Sequence, residues 1–460
     1  MASRASKPGD VDHTWCMQIP GSNGAASSTL VDDSDGLVSA RIFNDLNIHE
    51  LESERIFGRS WLFVAHESEI PRPGDYVTRS MGADPVIAVR GSDGRPRVLL
   101  NVCRHRGRKL CAEDAGNASH FRCGYHGWTY SNCGDLTGVP FLEAYAGKLD
   151  KSSLGLYAAP KVDSCHGLIF ASWSPDAPSL DEYLGEVKWM LDILFGRTAS
   201  MEVTAPMRWR VNANWKLGAA NFSGDGSHLP ITHGYGTALG LDASRGRREG
   251  YVLHTAEGHC AQMRYCPPGT IDTPPYMGLP KELWAEVDSR LSPEQVDVAN
   301  SHSSYSGNIF PNLSFLCVST VGFLGTEWNE KEKAPSDGVG TSFLTLRQWQ
   351  PLGPDSMEAW SWLVLDAAAP ESWKAESRRC YERAFGLAGM HEQDDIQNWI
   401  AITEGVRGPV AQRLWLNYQM SMRAEPSPDW KGPGMAVQQR TFSEINERAF
   451  YRRWRQLVEG

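Results

Sequence analysis

Long apolar runs are missing from this chain. No stretch approaches the roughly 18 uncharged apolar residues needed to cross a bilayer, which excludes a membrane-spanning helix. A basic surplus is missing as well: 45 Lys and Arg face 55 Asp and Glu, for a formal net charge of −10. That balance is a poor match to a phosphate backbone and excludes nucleic acid as a partner. The first 36 residues carry Arg4, Lys7, Asp10 and Asp12 among many Ser and Gly, with no apolar stretch of the signal-peptide kind, so the protein is expected in the cytoplasm. Internal repeats are absent, as is a Gly-rich dinucleotide fingerprint following a strand. What is present is length and apolar content: 460 residues, 41% hydrophobic, suit two or three domains with sizeable cores. There are also 10 Cys and 13 His, which in a reducing compartment point to bound, buried or free thiols rather than disulfides.

Residues 1–36 read as a polar arm. From Asn44 to Phe57, the recurrence of Leu46, Leu51, Ile56 and Phe57 predicts an amphipathic helix ending at Gly58. Between Trp61 and Trp173 short β-rich runs separated by Gly, Pro and Asp turns predict an all-β domain. Ser179 and Glu182 form a capping box, and the helix it starts opens a second domain. Gly234–Ser306, rich in Gly and Pro, is expected to form covering loops with short helices at Lys281–Val287 and Pro293–Val298. Strand patterns return at Phe315–Phe323, Ser342–Gln350 and Met357–Leu365, the last two joined as a hairpin, before an amphipathic helix over Phe442–Leu457.

Inside the β-rich region Cys103 stands two residues before His105, and Cys123 three before His126, so two loops each offer one thiolate and one imidazole. Structural zinc also takes two Cys and two His, but usually groups like ligands at two- to four-residue gaps. The mixed pairs fit a Rieske [2Fe–2S] centre better: two cysteines hold one iron, two neutral histidines the other, and the potential rises. Gly107, Gly124 and Gly127 permit close backbone approach, while Trp128 and Tyr130 are placed to exclude solvent. Cys111 and Cys133 are expected to be free thiols.

A second constellation follows at Asp225, His228 and His233. Asp225 and His228 are one helical turn apart, and Pro230 is expected to break that helix and swing His233 back beside His228. Two His plus one carboxylate, with other positions open, is the facial triad of non-haem Fe(II) oxygenases. The distant acid is sought among Glu392, Asp394 and Asp395, of which Asp395 is preferred. Asp225 then reads as the acid that accepts a hydrogen bond from His228.

These runs, with Asn214-Trp215-Lys216, Asn221-Phe222 and the Phe385–Gly389 stretch, resemble the large (α) subunits of Rieske non-haem iron aromatic-ring-hydroxylating dioxygenases, the naphthalene and biphenyl dioxygenase family. The resemblance covers nearly all of the chain after about residue 37. It implies an α+β protein with an all-β Rieske domain at 60–175 and a catalytic helix-grip (START/Bet v1-like) domain of antiparallel sheet and helices at 176–460, on which a helix within 37–59 packs. Implied site residues are Cys103, His105, Cys123 and His126 for the cluster and His228, His233 and Asp395 for the iron, with Asp225 and Asn221 catalytic and Phe222, Leu229, Phe385 and His391 around the substrate.

Implied activity is O2-dependent cis-dihydroxylation of a bulky, hydrophobic or polycyclic aromatic ring, with electrons from NAD(P)H through a reductase and ferredoxin. Implied assembly is at least three α subunits, commonly with three small β subunits, so that Asp225 links His126 of one copy to His228 of the next. Competing expectations are a Rieske monooxygenase or demethylase, a dioxygenase of ring-bearing carboxylic acids suggested by His391 and Arg245, Arg247 and Arg248, and a plain electron-transfer or zinc-binding module. The chain departs from the resemblance at Ala220, where relatives commonly have an acid, and at Ser227, where they have Tyr.

Overall fold

The computed structural model describes residues 29–235, 249–265, 275–320, 341–440 and 442–460. Most of the polar arm, and the cluster of Arg245, Arg247 and Arg248, lie outside the described residues.

The helix expected over Asn44–Phe57 is present as Leu46–Glu52, continued by a wider π-type turn over Ser53–Phe57. Asp45 starts it by accepting from the N–H groups of Asn47 and Ile48 at 3.0 and 3.4 Å. At its end Glu52 is 1% exposed and takes hydrogen bonds from Lys216 Nζ (2.5 Å), Trp215 Nε1 (2.9 Å) and Trp454 Nε1 (2.7 Å). A carboxylate so deep in the protein is stable only when its lone pairs are filled, and these three donors fill them. One residue thereby joins the N-terminal helix, the helix Trp215–Gly224 and the C-terminal helix Ile445–Glu459.

The β-rich region builds three small antiparallel sheets. One pairs Pro96–Leu100, Asp84–Arg90, Asp75–Met81 and Ala115–Asn117; a second pairs Leu136–Gly138, Thr129–Ser131 and His120–Arg122. The third sets Leu62–His66 beside Leu168–Ser172 and Lys161–Cys165. Ile87, Val89, Leu99, Phe121, Tyr130 and Leu136 pack together behind the cysteine loops.

A nine-stranded antiparallel sheet dominates the second half. In order it runs Met201–Val203, Ser356–Asp366, Thr341–Gly353, Leu313–Thr320, His302–Ile309, Cys260–Tyr265, Glu249–His254 and Met435–Arg440, with Met207–Val211 also pairing Ser356–Asp366. Side chains alternate between its faces, as a period of two requires. Leu316, Met357 and Leu363 join the core around Trp215 and Phe450, whereas Phe315, Trp362 and Val364 join the one around Phe63 and Phe195.

The expectation of covering loops over Gly234–Ser306 is corrected here. Glu249–His254, Cys260–Tyr265 and the start of His302–Ile309 are sheet strands, and the helices between are Trp284–Arg290 and Pro293–Ser301. The strands were hidden because Gly250 and Gly307 interrupt their apolar alternation. Gly250 and Gly307 are required by close packing, since a Cβ there would meet Met263 O and the Phe315 ring.

Candidate active site and metal centres

The two cysteine loops are built alike, 20 positions apart. Cys103 N donates to Arg108 O (2.9 Å) and Gly107 N to Cys103 O (2.9 Å); Cys123 N donates to Trp128 O (2.8 Å) and Gly127 N to Cys123 O (3.0 Å). Both turns close through a glycine at φ +74°, a conformation that side chains disfavour. The histidine falls on the third residue of one loop and the fourth of the other, yet the rings meet, with His105 and His126 centroids 4.5 Å apart. Trp128 stacks on His105 at 4.9 Å, and Tyr130 OH lies 3.4 Å from Cys103 Sγ.

Cys103 and Cys123 are buried, while both imidazoles are partly exposed. Burial acts to raise Cys123, but the N–H groups of Tyr125 and His126, with Cys103 and Arg108, outweigh it and lower the thiol. His105 is lowered by burial and by His126, and its buried Nδ1 has no hydrogen-bond partner. A neutral imidazole with an idle ring nitrogen beside two thiols suits the ligand set of a Rieske cluster. Cys111 and Cys133 are free, as expected.

The second site starts from the helix Trp215–Gly224. Asn214 caps it, accepting from Lys216 N at 3.0 Å, while its own N–H donates to Thr403 Oγ1 at 3.2 Å on the helix Met390–Gly405. The chain leaves the first helix at Gly224, so Asp225 and His228 are not on a continuous helix as expected. Pro230 does not break a helix either. It lies in the first turn of a new short one, Leu229–Thr232, where its missing N–H costs nothing. His228 and His233 bracket that turn, with ring centroids 5.2 Å apart.

Asp395 reaches both from the helix Met390–Gly405: its Oδ1 is 3.4 Å from His228 Nε2 and 3.3 Å from His233 Nε2. One ligand atom from each of the three lies within 4.8 Å of the others. His233 Nε2 is buried and lacks a hydrogen-bond partner, as befits an atom reserved for a metal.

Both rings are held from behind. His228 Nδ1 donates to the main-chain oxygen of Asp225, whose Oδ2 is 3.5 Å away, and Ser227 Oγ donates to Asp225 Oδ1 at 2.9 Å. Ser227 therefore sets a hydroxyl on the Asp225 carboxylate, while Ala220 is simply buried apolar surface. Burial would raise Asp225 and lower His228, but their mutual contact wins, moving Asp225 down and His228 up in the metal-free chain.

His233 Nδ1 faces Asp394 Oδ2 at 3.3 Å, a role missed from the sequence, where Asp394 was only a rejected ligand. Adjacent residues on a helix point about 100° apart, so one acid faces the metal side of the imidazole and its neighbour the far side. Glu392, the third acid weighed, turns onto Arg347 Nη2 at 3.0 Å. Burial pushes it up to about 7, against the opposing pull of Arg347.

Around these ligands His391 lies 4.7 Å from His233 and 5.4 Å from Phe385, ring to ring. Tyr235, also missed, bonds His391 Nδ1 through its hydroxyl at 3.2 Å. Phe222 is fully buried and packs on Trp349 at 5.2 Å, Leu229 is half-buried in the turn between the histidines, and Asn221 is half-buried one turn before Asp225.

A cluster-binding β module joined to a helix-covered antiparallel sheet with a two-His, one-carboxylate donor set defines a two-centre iron oxygenase. Residues 60–153 match the Rieske [2Fe-2S] domain, and residues 180–328 the ring hydroxylating alpha subunit (catalytic domain). The chain is 37% identical to the N,N-dimethyl phenylurea N-demethylase subunit alpha of Sphingobium sp., covering 91% of each. It is 36% identical to the biphenyl 2,3-dioxygenase subunit alpha of Rhodococcus jostii, covering 93% of this chain and 90% of that one. The crystal structure of naphthalene 1,2-dioxygenase from Rhodococcus sp. bound to indole superposes with a TM-score of 0.86 at 44% identity, over 93% of this chain and 95% of that one.

The chain belongs to the alpha subunits of the Rieske ring-hydroxylating dioxygenases. It is an oxidoreductase that carries a Rieske [2Fe–2S] cluster and a mononuclear non-haem iron.

Proposed function

We propose that this alpha subunit adds both atoms of O2 across a bulky, hydrophobic or polycyclic aromatic ring to give a cis-dihydrodiol. Cys103, His105, Cys123 and His126 hold the cluster, and His228, His233 and Asp395 the iron. The observation that carries this reading is the convergence of three donors within 4.8 Å around a buried, unpartnered His233 Nε2. When bound, the iron supplies redox chemistry and a template for O2 beside the substrate.

The protein's own part is to hold that triad and the ring near it. Asp225 and Asp394 fix the two imidazoles with Nε2 facing the metal. Phe385 and His391 wall the ligand cluster and bind substrate mainly by excluding water. Asp225, partly exposed, and the half-exposed His126 under an exposed Tyr125 are the two ends of an electron path between neighbouring copies in a ring of at least three. Small β subunits, a ferredoxin and a reductase complete the system, and its place is the cytoplasm. Among the described residues no helix is long and apolar enough to cross a membrane.

Turnover of bulky aromatic hydrocarbons with a surrogate reductase and ferredoxin under isotopically labelled O2 tests this. Two labelled oxygens in one product support it, and a single labelled oxygen overturns dioxygenation. A second reading, oxidative N-demethylation of an aryl amide or urea, is favoured by the similarity to the phenylurea demethylase subunit and by the polar Tyr235–His391 pair beside the site. Formaldehyde release would distinguish it.

A further inference from the structure

The first turn of the C-terminal helix, Ile445–Glu459, is clamped to the end of the helix Trp215–Gly224. Asn446 Nδ2 donates to Ser223 O at 2.7 Å and to Ala261 O at 2.9 Å, and a Cβ at Gly224 would lie only 2.7 Å from that same amide nitrogen. The next residue, Glu447, is 3% exposed, and neither of its carboxyl oxygens has a hydrogen-bond partner. Two idle oxygens on one buried carboxyl are a poor environment for an ion.

The groups that face Glu447 do not neutralise it. Asp225 at the end of the Trp215–Gly224 helix, Glu444, Arg448 and Tyr451 on its own helix, Tyr418 after Trp415–Asn417 and Cys260 on the neighbouring strand interact with it electrostatically. Arg448 directs its guanidinium to the carbonyls of Tyr418 (2.6 Å), Met420 (2.7 Å) and Ser421 (3.3 Å), and Arg452 is held by Asp33 at 2.7 Å. Burial, reinforced by Asp225 and Glu444, pushes Glu447 well above the usual carboxyl range.

We propose that Glu447 is a positioning residue that holds a proton beside Asp225, sparing the point where electrons enter the iron site a further buried negative charge. The inference rests on the reading of Asp225 as one end of the electron path. Ionisation of Glu447 breaks only its O–H bond, the electron pair staying on oxygen and the proton passing to solvent. It would add a buried negative charge beside Asp225, against the incoming electron. Turnover should therefore fall on the alkaline side.

The test uses the intact, metal-loaded oxygenase. Infrared spectra at neutral pH, taken in a Glu392→Gln background because Glu392 also holds a proton in that range, should contain a protonated-carboxyl band that is lost when Glu447→Gln is added. The ratio of turnover at about pH 9 to that at about pH 7 should be at least roughly threefold lower in wild type than in the variant, because only wild type has this group to titrate. Equal ratios overturn the proposal, as does a band that survives the substitution. Should Glu447→Gln fail to fold, the spectrum of Glu392→Gln alone still decides: no protonated-carboxyl band at neutral pH overturns it. Full turnover in Asp225→Asn, with the band present, overturns the coupling through Asp225 and leaves the proton on Glu447 established separately.

Discussion

Replacing Lys216 by Met should destabilise the protein by about 3 kcal/mol, the low end of the range for breaking a buried ion pair. Lys216 and Glu52 are 0% and 1% exposed, so the substitution leaves a carboxylate with no access to water. Trp215 and Trp454 still donate to it, at 2.9 and 2.7 Å, and hydrogen bonds to a charged group are worth roughly 1.5–3 kcal/mol each, which places the loss at the bottom of the range. Met occupies the space of the lysine stem and keeps contact with the rings of Phe43, Trp215 and Trp454, which lie 5.4 to 5.9 Å from the ammonium. A second substitution, Glu52→Gln, removes the stranded charge while its amide oxygen still accepts from a tryptophan, so the double variant should recover much of the loss. Denaturant titration by tryptophan fluorescence, with iron content followed in parallel, measures both. A Lys216→Met protein within about 0.5 kcal/mol of wild type, or a double variant less stable than the single one, would refute the assignment of Glu52 as a charge that depends on its lysine.

Asp394→Asn should weaken iron retention by about tenfold while leaving the Rieske spectrum intact, because it alters only the group behind His233; a chelator challenge reads this out. Asp225→Asn should keep both metals and lose nearly all turnover, and normal turnover in that variant contradicts its place in the electron path. Glu392 gives a pH dependence with a definite sign: its carboxyl is raised to about 7 in the folded metal-free chain, so its contribution is full below its ordinary 4.5 and is lost as pH rises through about 7. Melting curves of metal-free protein across that window should fall less steeply for Glu392→Gln than for wild type. His228→Ala should abolish turnover with the cluster retained, and continued turnover would remove the iron site from the reaction.

The candidate donor residues stood out in the sequence because their chemistry is rare and their spacing short. Cys103, His105, Cys123 and His126 stand within two loops, and His228 and His233 bracket a single turn. What pairs across long separations was not legible. Glu52 and Lys216 are 164 positions apart, so Asn214-Trp215-Lys216 could be noted as a motif without its purpose, which is to cap one helix and anchor it to two others. Asp394 and Tyr235 gain their roles only when two distant segments meet. The role of Pro230 was inverted because proline both ends and begins helices, and only the turn at Gly224 reveals which applies. The strands around Glu249–His254 and Cys260–Tyr265 form through their neighbours rather than through their own alternation.

Glu52 comes before the cluster-binding module in the chain, whereas the lysine and tryptophans that hold it come after. The module is thus an insertion into the unit that binds the iron, entering along Leu62–His66 and leaving along Leu168–Ser172. These two strands are antiparallel neighbours, with Leu62 opposite Ala171. Its two covalent junctions are therefore side by side, which makes it a cassette: a module from another member of the family could be spliced across this one doorway, changing the supply of electrons without rebuilding the place where they are used.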